Sequence, residues 1–164
     1  MNYWLFKSEP ETFSIDHLMQ TPKQTEPWDG IRNYQVRNLL RDQIQLGDQA
    51  FFYHSNCTPP GIVGIMEIVK TAYPDLSARN PASAYYDPKA TSDNPRWYTV
   101  DVHFLKKFPR IITLQEIKQH PALQNMPLAR KGNRLSITPI TQEEWQILLT
   151  RIPDKLNAIS VMPA

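Results

Sequence analysis

The sequence predicts an α+β domain, a mixed β-barrel of about five or six strands flanked by short helices. Three observations predict it. Strand-like and helix-like segments follow one another without β-α-β alternation, which argues against a doubly wound sheet. The helical segments are four in number and all short. Fifteen prolines against five glycines in 164 residues cut the chain into brief elements joined by stiff loops, because proline fixes φ and donates no backbone hydrogen bond.

Each element has its own signal. Tyr3 to Phe6 reads as a first strand, ending in Lys7-Ser8-Glu9-Pro10. Ser14 is placed to cap a short helix, with Phe13 and Leu18 as a hydrophobic staple and Pro22 beyond its end. Thr21 to Pro27, polar and holding two prolines, reads as a loop. From Tyr34 to Leu46 the apolar Val36, Leu39, Leu40 and Ile44 keep helical spacing, and Gly47 closes the segment. Ala50 to Tyr53 and Ile62 to Val69 read as strands around a Pro59-Pro60-Gly61 turn. Trp97 to Leu105 alternates, with Tyr98, Val100, Val102 and Phe104 on one face. Thr113 with Glu116, and Thr141 with Glu144, match capping boxes that open two further helices. The last of these turns Trp145, Leu148, Leu149 and Ile152 inward. Arg134 to Ile140 is the remaining strand.

A hydrophobic fraction of 41% and a charged fraction of 21% suit a globular chain and argue against disorder. The length fits one domain, expected over residues 1–152 with a tail at 153–164. No run approaches the ~20 apolar residues of a membrane span, and Met1 to Lys7 holds too short an uncharged stretch for a signal-peptide core. A single cysteine, Cys57, permits no internal disulfide and fits a reducing compartment. A soluble, cytoplasmic protein with no membrane partner is expected. The net charge of +2 is too small to identify a nucleic-acid binder by itself. The basic groups Arg32/Arg37/Arg41, Lys106/Lys107/Arg110 and Arg130/Lys131/Arg134 each read first as a solvated face.

Chemistry-bearing patterns are few. His17, His54, His103 and His120 are scattered, so no metal is expected, and no glycine-rich phosphate cradle occurs. His54 and Cys57 lie three apart and could form a thiolate–imidazolium pair. Spacing assigns them no orienting partner, and a small enzyme acting on a nucleotide or related metabolite remains the alternative reading. The segment Trp28-Asp29-Gly30-Ile31-Arg32-Asn33-Tyr34 is more distinctive. A tryptophan beside a D-G turn, with an amide, a phenol and arginines nearby, supplies stacking, edge hydrogen bonds and phosphate contacts. Two readings stand level for Trp28: wall of a pocket, or cap on the core beneath the following helix.

Several motifs together carry a resemblance: Y-W-L-F-K-S-E-P from Tyr3, W-D-G-I-R-N-Y-Q from Trp28, F-Y-H-S from Phe52, Y-Y-D-P-K-A-T from Tyr85 and R-L-S-I-T-P-I from Arg134. From about Asn2 to Arg151 the chain closely resembles the EVE domain family, which is similar in fold to PUA domains and to the YTH readers of methylated adenine. The resemblance implies a PUA-like β-barrel and a non-catalytic reader without a cofactor. Its partner would be DNA carrying modified cytosine, or RNA carrying a modified base; protein partners are not implied. By the same resemblance Trp28 forms one wall of the pocket and Trp97 a second. Lys7 and Ser8 supply polar contacts at the floor, Asn33 and Tyr34 border the opening, and His54 and Ser55 end a strand inside it. Arg32, Arg37 and Arg134 are implied as phosphate or rim contacts, with Leu135 and Ser136 beside the last.

Overall fold

The structure is a computed structural model that describes residues 1–152; the tail expected at 153–164 lies outside the described residues. Six strands and four α-helices occur among them: β1 (Tyr3–Ser8), α1 (Ile15–Gln20), β2 (Thr25–Pro27), α2 (Tyr34–Asp42), β3 (Gln49–His54), β4 (Gly61–Pro74), β5 (Tyr98–Thr113), α3 (Leu114–Gln119), β6 (Ile137–Ile140) and α4 (Gln142–Leu149).

The strands form one sheet in the order β2-β5-β4-β3-β1-β6. Only β1 and β3 run parallel, from Tyr3 opposite Gln49 to Ser8 opposite His54; the other neighbours are antiparallel. The sheet is open, which corrects the expected closed barrel. Its two edges are the shortest strands, β2 and β6, and each holds a proline (Pro27 and Pro139) that cannot donate to a further neighbour. The burial pattern is that of a middle layer. Along β1, Trp4 and Phe6 join one apolar cluster with Ile15 and Leu18 of α1 and Val36 and Leu40 of α2. Leu5 faces the other way, into a second cluster with Ile117 of α3 and Trp145 and Leu148 of α4. A sheet buried on both faces shows unbroken apolar runs in place of alternation, as Ala50 to Tyr53 do.

Helix starts follow their caps. Thr113 and Thr141 form capping boxes with Glu116 and Glu144. Ser14 accepts from the His17 amide while the His17 ring accepts from the Ser14 amide, so histidine takes the usual glutamate role. Asn33 caps α2 by accepting from the Val36 amide at 3.0 Å.

Three boundaries differ from the sequence reading. The expected loop at 21–27 contains β2, too short to show any periodicity, paired through Thr25–His103, Glu26–Val102 and Pro27–Asp101. Helix α2 stops at Asp42, although Ile44 beyond it is still buried. β4 and β5 extend well past their apolar stretches, because pairing with each other continues through several register shifts that bend the long hairpin.

Candidate functional site

A cavity of about 280 Å³ opens beyond the end of β1 and the edge strand β2. Lys7 and Ser8 close β1 there, Glu26 and Pro27 come from β2, and Trp28 to Ile31 follow directly. The Glu9–Phe13 turn, Tyr85 and Ser136 complete it. The turn is held by the Ser8 hydroxyl, which donates to the Phe13 carbonyl at 2.6 Å. Ser136 is brought in by its carbonyl, which accepts from the Lys7 amide at 2.8 Å.

Trp28 satisfies both readings offered for it. The ring is 7% exposed and meets Phe6, Phe13 and Phe52 edge to face, with centroids 5.3, 6.1 and 5.4 Å away. It is part of the core and also lines the cavity. Its backbone amide donates to the Val100 carbonyl at 2.7 Å, extending the β2–β5 pairing by one residue.

Tyr85 is a cavity aromatic that residue spacing did not single out. Its ring lies over Gly30, whose φ of +85° suits glycine; a Cβ there would meet the ring at 2.7 Å. Arg32 fixes Tyr85 from behind. Its Nε and Nη2 donate to the Tyr85 carbonyl at 3.1 and 2.6 Å, and its Nη1 reaches Asp75 at 3.1 Å. Asp75 is 2% exposed. Burial opposes its charge, but donors from Ser77, the Gly30 amide and Arg32 outweigh that and hold its carboxyl below the usual range.

Burial shifts three charged groups at the cavity, Lys7, Glu26 and Asp29, toward neutrality. Burial lowers the pKa of Lys7, whose side chain enters no ion pair among the described residues. Burial first, then the charges of Asp29 and Asp101, raises Glu26. Asp29 sits at the rim, exposed as a residue yet with its carboxyl partly shielded. That loss of water, and then the charge of Asp75, pushes it up.

Of the residues singled out from sequence, Lys7, Ser8, Trp28 and Ser136 meet at the cavity. Trp97 does not line it. It is buried in a separate small cluster with Ala78 and Ala90, donates from its indole to Asp87 at 2.7 Å, and stacks on Tyr34 at 4.9 Å. Tyr34 is half exposed, beneath Arg37 at 4.7 Å. Arg37 also donates to Asn38 and to the Arg96 carbonyl. Asn33 is occupied as a helix cap, and Arg134 is exposed, two residues before Ser136. Ser55 touches the site only through its amide, which donates to the Ser8 carbonyl.

His54 faces a different hollow with Asp16 and Lys107, where its Nε2 accepts from the Ile15 amide at 3.1 Å. The Cys57 thiol donates to the Pro59 carbonyl and burial pushes its pKa up, the reverse of what an activated thiolate needs. Among the described residues no group of three or more His, Cys, Asp or Glu is placed to hold a metal, and no helix is long and apolar enough to cross a membrane.

An open mixed sheet between two helical layers, with a ring-sized aromatic cavity at the end of its first strand, defines a small pocket-bearing α+β domain. The chain belongs to the EVE domain family, whose model matches residues 2–151. It is similar to human thymocyte nuclear protein 1, 48% identical over 166 residues that span 91% of this chain and 73% of the relative. A crystal structure from Pseudomonas syringae superposes with a TM-score of 0.85 at 49% identity, over 91% of this chain and 98% of that one. Human THYN1 protein, in complex with 5-methylcytosine containing DNA, superposes at 0.86 with 48% identity, over 92% of this chain and 97% of that one. The expectation of a cytoplasmic protein is overturned by the name that the mouse, human and rat relatives bear, thymocyte nuclear protein 1. A lone cysteine speaks only to redox environment, which cytosol and nucleus share.

Proposed function

We propose that this chain is a non-catalytic reader that takes one modified base of a nucleic acid, first of all modified cytosine in DNA, into the cavity lined by Trp28. The observation that carries this reading is the coincidence of a buried indole with a void of about 280 Å³ beside it. That void lies just under the roughly 300–1,000 Å³ of sites for drug-sized ligands, and suits one small planar ring. Further support comes from the human relative in complex with 5-methylcytosine containing DNA.

The energetics suit such a role. Extruding a base costs a few kcal/mol, and stacking on an aromatic face returns about 1–3 kcal/mol. A buried methyl group adds about 0.8 kcal/mol, so the methyl alone gives only modest selectivity. Exposed Lys131 and Arg134 lie close in sequence to Ser136 and supply salt-sensitive attraction to backbone phosphates. Lys7, Ser8, Trp28 and Tyr85 are the proposed base contacts. Arg32 acts through Tyr85, and the pair Tyr34–Trp97 stands as a neighbouring buttress.

The test is a titration of the purified chain with labelled duplexes identical except for one cytosine, unmodified or 5-methylated. Tighter binding of the modified duplex, lost on Tyr85→Ala with thermal stability retained, supports the reading. Equal binding of both duplexes by the parent protein overturns it.

A further inference from the structure

Lys7 and Glu26 bring opposite hydrogen-bonding characters to one cavity without spending them on each other. Lys7 projects from the end of β1 and Glu26 from β2, two residues before Trp28. Both are half-buried, yet no ion pair within 4.0 Å joins them. Neither side chain makes a hydrogen bond to another described residue, and neither is involved in any further contact of that kind. Two opposite charges left apart in a shared, partly dry space leave room for a ligand that separates them. An ammonium group only donates, and a carboxylate only accepts.

A flipped base presents its Watson–Crick edge to the pocket that holds it. On cytosine that edge offers acceptors at O2 and N3 and a donor at the exocyclic amine. On thymine, which has the same ring size and the same methyl as 5-methylcytosine, N3 is a donor and the exocyclic position is an acceptor. We propose that Lys7 and Glu26 are the pair that reads this edge, Lys7 donating to the ring acceptor and Glu26 accepting from the amine. The cavity thereby selects a base with an amine beside a ring nitrogen and refuses thymine and uracil. Of the other two carboxyls of the cavity, Glu9 already accepts from the Asn56 amide at 2.6 Å, whereas Asp29 at the rim is close enough to Glu26 for their charges to interact and adds to the acceptor side. This inference rests on the base-binding reading above and adds the origin of its selectivity.

The test uses the full chain and three duplexes that differ at one position: 5-methylcytosine, unmodified cytosine, or thymine, each opposite the same mismatched partner so that extrusion costs compare. The parent protein is expected to prefer 5-methylcytosine over thymine by roughly ten-fold, the scale of one good bidentate base contact. Glu26→Gln presents either an acceptor or a donor, so its ratio should fall toward one as thymine binding improves. Lys7→Met should weaken both cytosine duplexes and leave thymine unchanged. Thermal denaturation checks that each variant is folded, and either variant alone suffices to decide. A parent protein that binds 5-methylcytosine and thymine alike overturns the inference. So do folded variants with an unchanged ratio, even where the preference for 5-methylcytosine over cytosine, and with it the reader role, survives. No preference among any of the three duplexes overturns both.

Discussion

Arg32 ties the turn after Trp28 to the loop that carries Tyr85, through two hydrogen bonds to the Tyr85 carbonyl at 3.1 and 2.6 Å. The same guanidinium rests 5.6 Å from the Tyr85 ring and 5.4 Å from that of Trp97, and it pairs with buried Asp75. One side chain thus positions an aromatic of the cavity and neutralises the carboxylate beneath it. Lysine at this position could not reproduce the fork.

Arg32→Ala is therefore expected to lower stability by about 1–3 kcal/mol, the cost of leaving a buried polar group short of a partner. It should weaken oligonucleotide binding as well, because Tyr85 loses its anchor. Urea unfolding and a duplex titration measure the two effects. Arg32→Lys should recover part of the stability and little of the binding.

Gly30→Ala meets two obstacles, a φ of +85° and a Tyr85 ring 2.7 Å from the new methyl. Strain of this kind costs about 1–3 kcal/mol. Only the steric part depends on Tyr85, so Tyr85→Ala should relieve it. A double-mutant cycle on unfolding free energy should find the two changes non-additive; strict additivity would show that the ring does not rest on the glycine.

Trp28→Ala removes a ring that the core uses as well as the cavity. It should destabilise by about 3–5 kcal/mol, so lost binding in that variant mixes fold and site. Trp28→Phe keeps an aromatic face and should cost less stability while weakening the grip on the base. Parallel unfolding and binding curves separate the two contributions.

Much of this was legible in the sequence, for identifiable reasons. Thr113, Thr141 and Ser14 announced their helices because capping is local chemistry. Trp28 stands out by itself, as a tryptophan beside a D-G turn ahead of a helix, whereas Lys7 and Ser8 are singled out only through the motif that carries the family resemblance. The open sheet was not legible: closure depends on whether β2 and β6 meet, and strands of three and four residues leave no periodic trace. Trp97 was expected in the pocket and instead stacks on Tyr34, because the long connection before it sets where that indole goes. Tyr85 and Glu26 lay in segments whose pairing and packing are decided by distant residues, Arg32 in one case and Val102 in the other. The one trace of Tyr85 in the sequence is its place in the Y-Y-D-P-K-A-T motif, which assigns it no role; its structural counterpart is the positive-φ Gly30 beneath its ring.

Acid should act through Glu116, which accepts from Arg110 at 2.7 Å and from Arg151 at 3.0 Å and so fastens the end of α4 to α3. The Arg110 hydrogen bond above all, opposed by some burial, holds its carboxyl down at about 2, from an ordinary 4.5. A depressed folded-state value means stability that is present above the ordinary value and fades as pH falls from about 4.5 toward about 2. Melting temperatures across that window should drop less steeply for Glu116→Gln than for the parent. Identical slopes would remove Glu116 from the account of acid unfolding.

A crystal structure of the chain with a short duplex bearing one 5-methylcytosine would show where that base goes. That base is expected to be turned out of the helix, its ring against the Trp28 indole and its methyl inside the cavity that Tyr85 helps to line. A duplex bound with the modified base still stacked in place, and only solvent beside Trp28, would contradict the reader role.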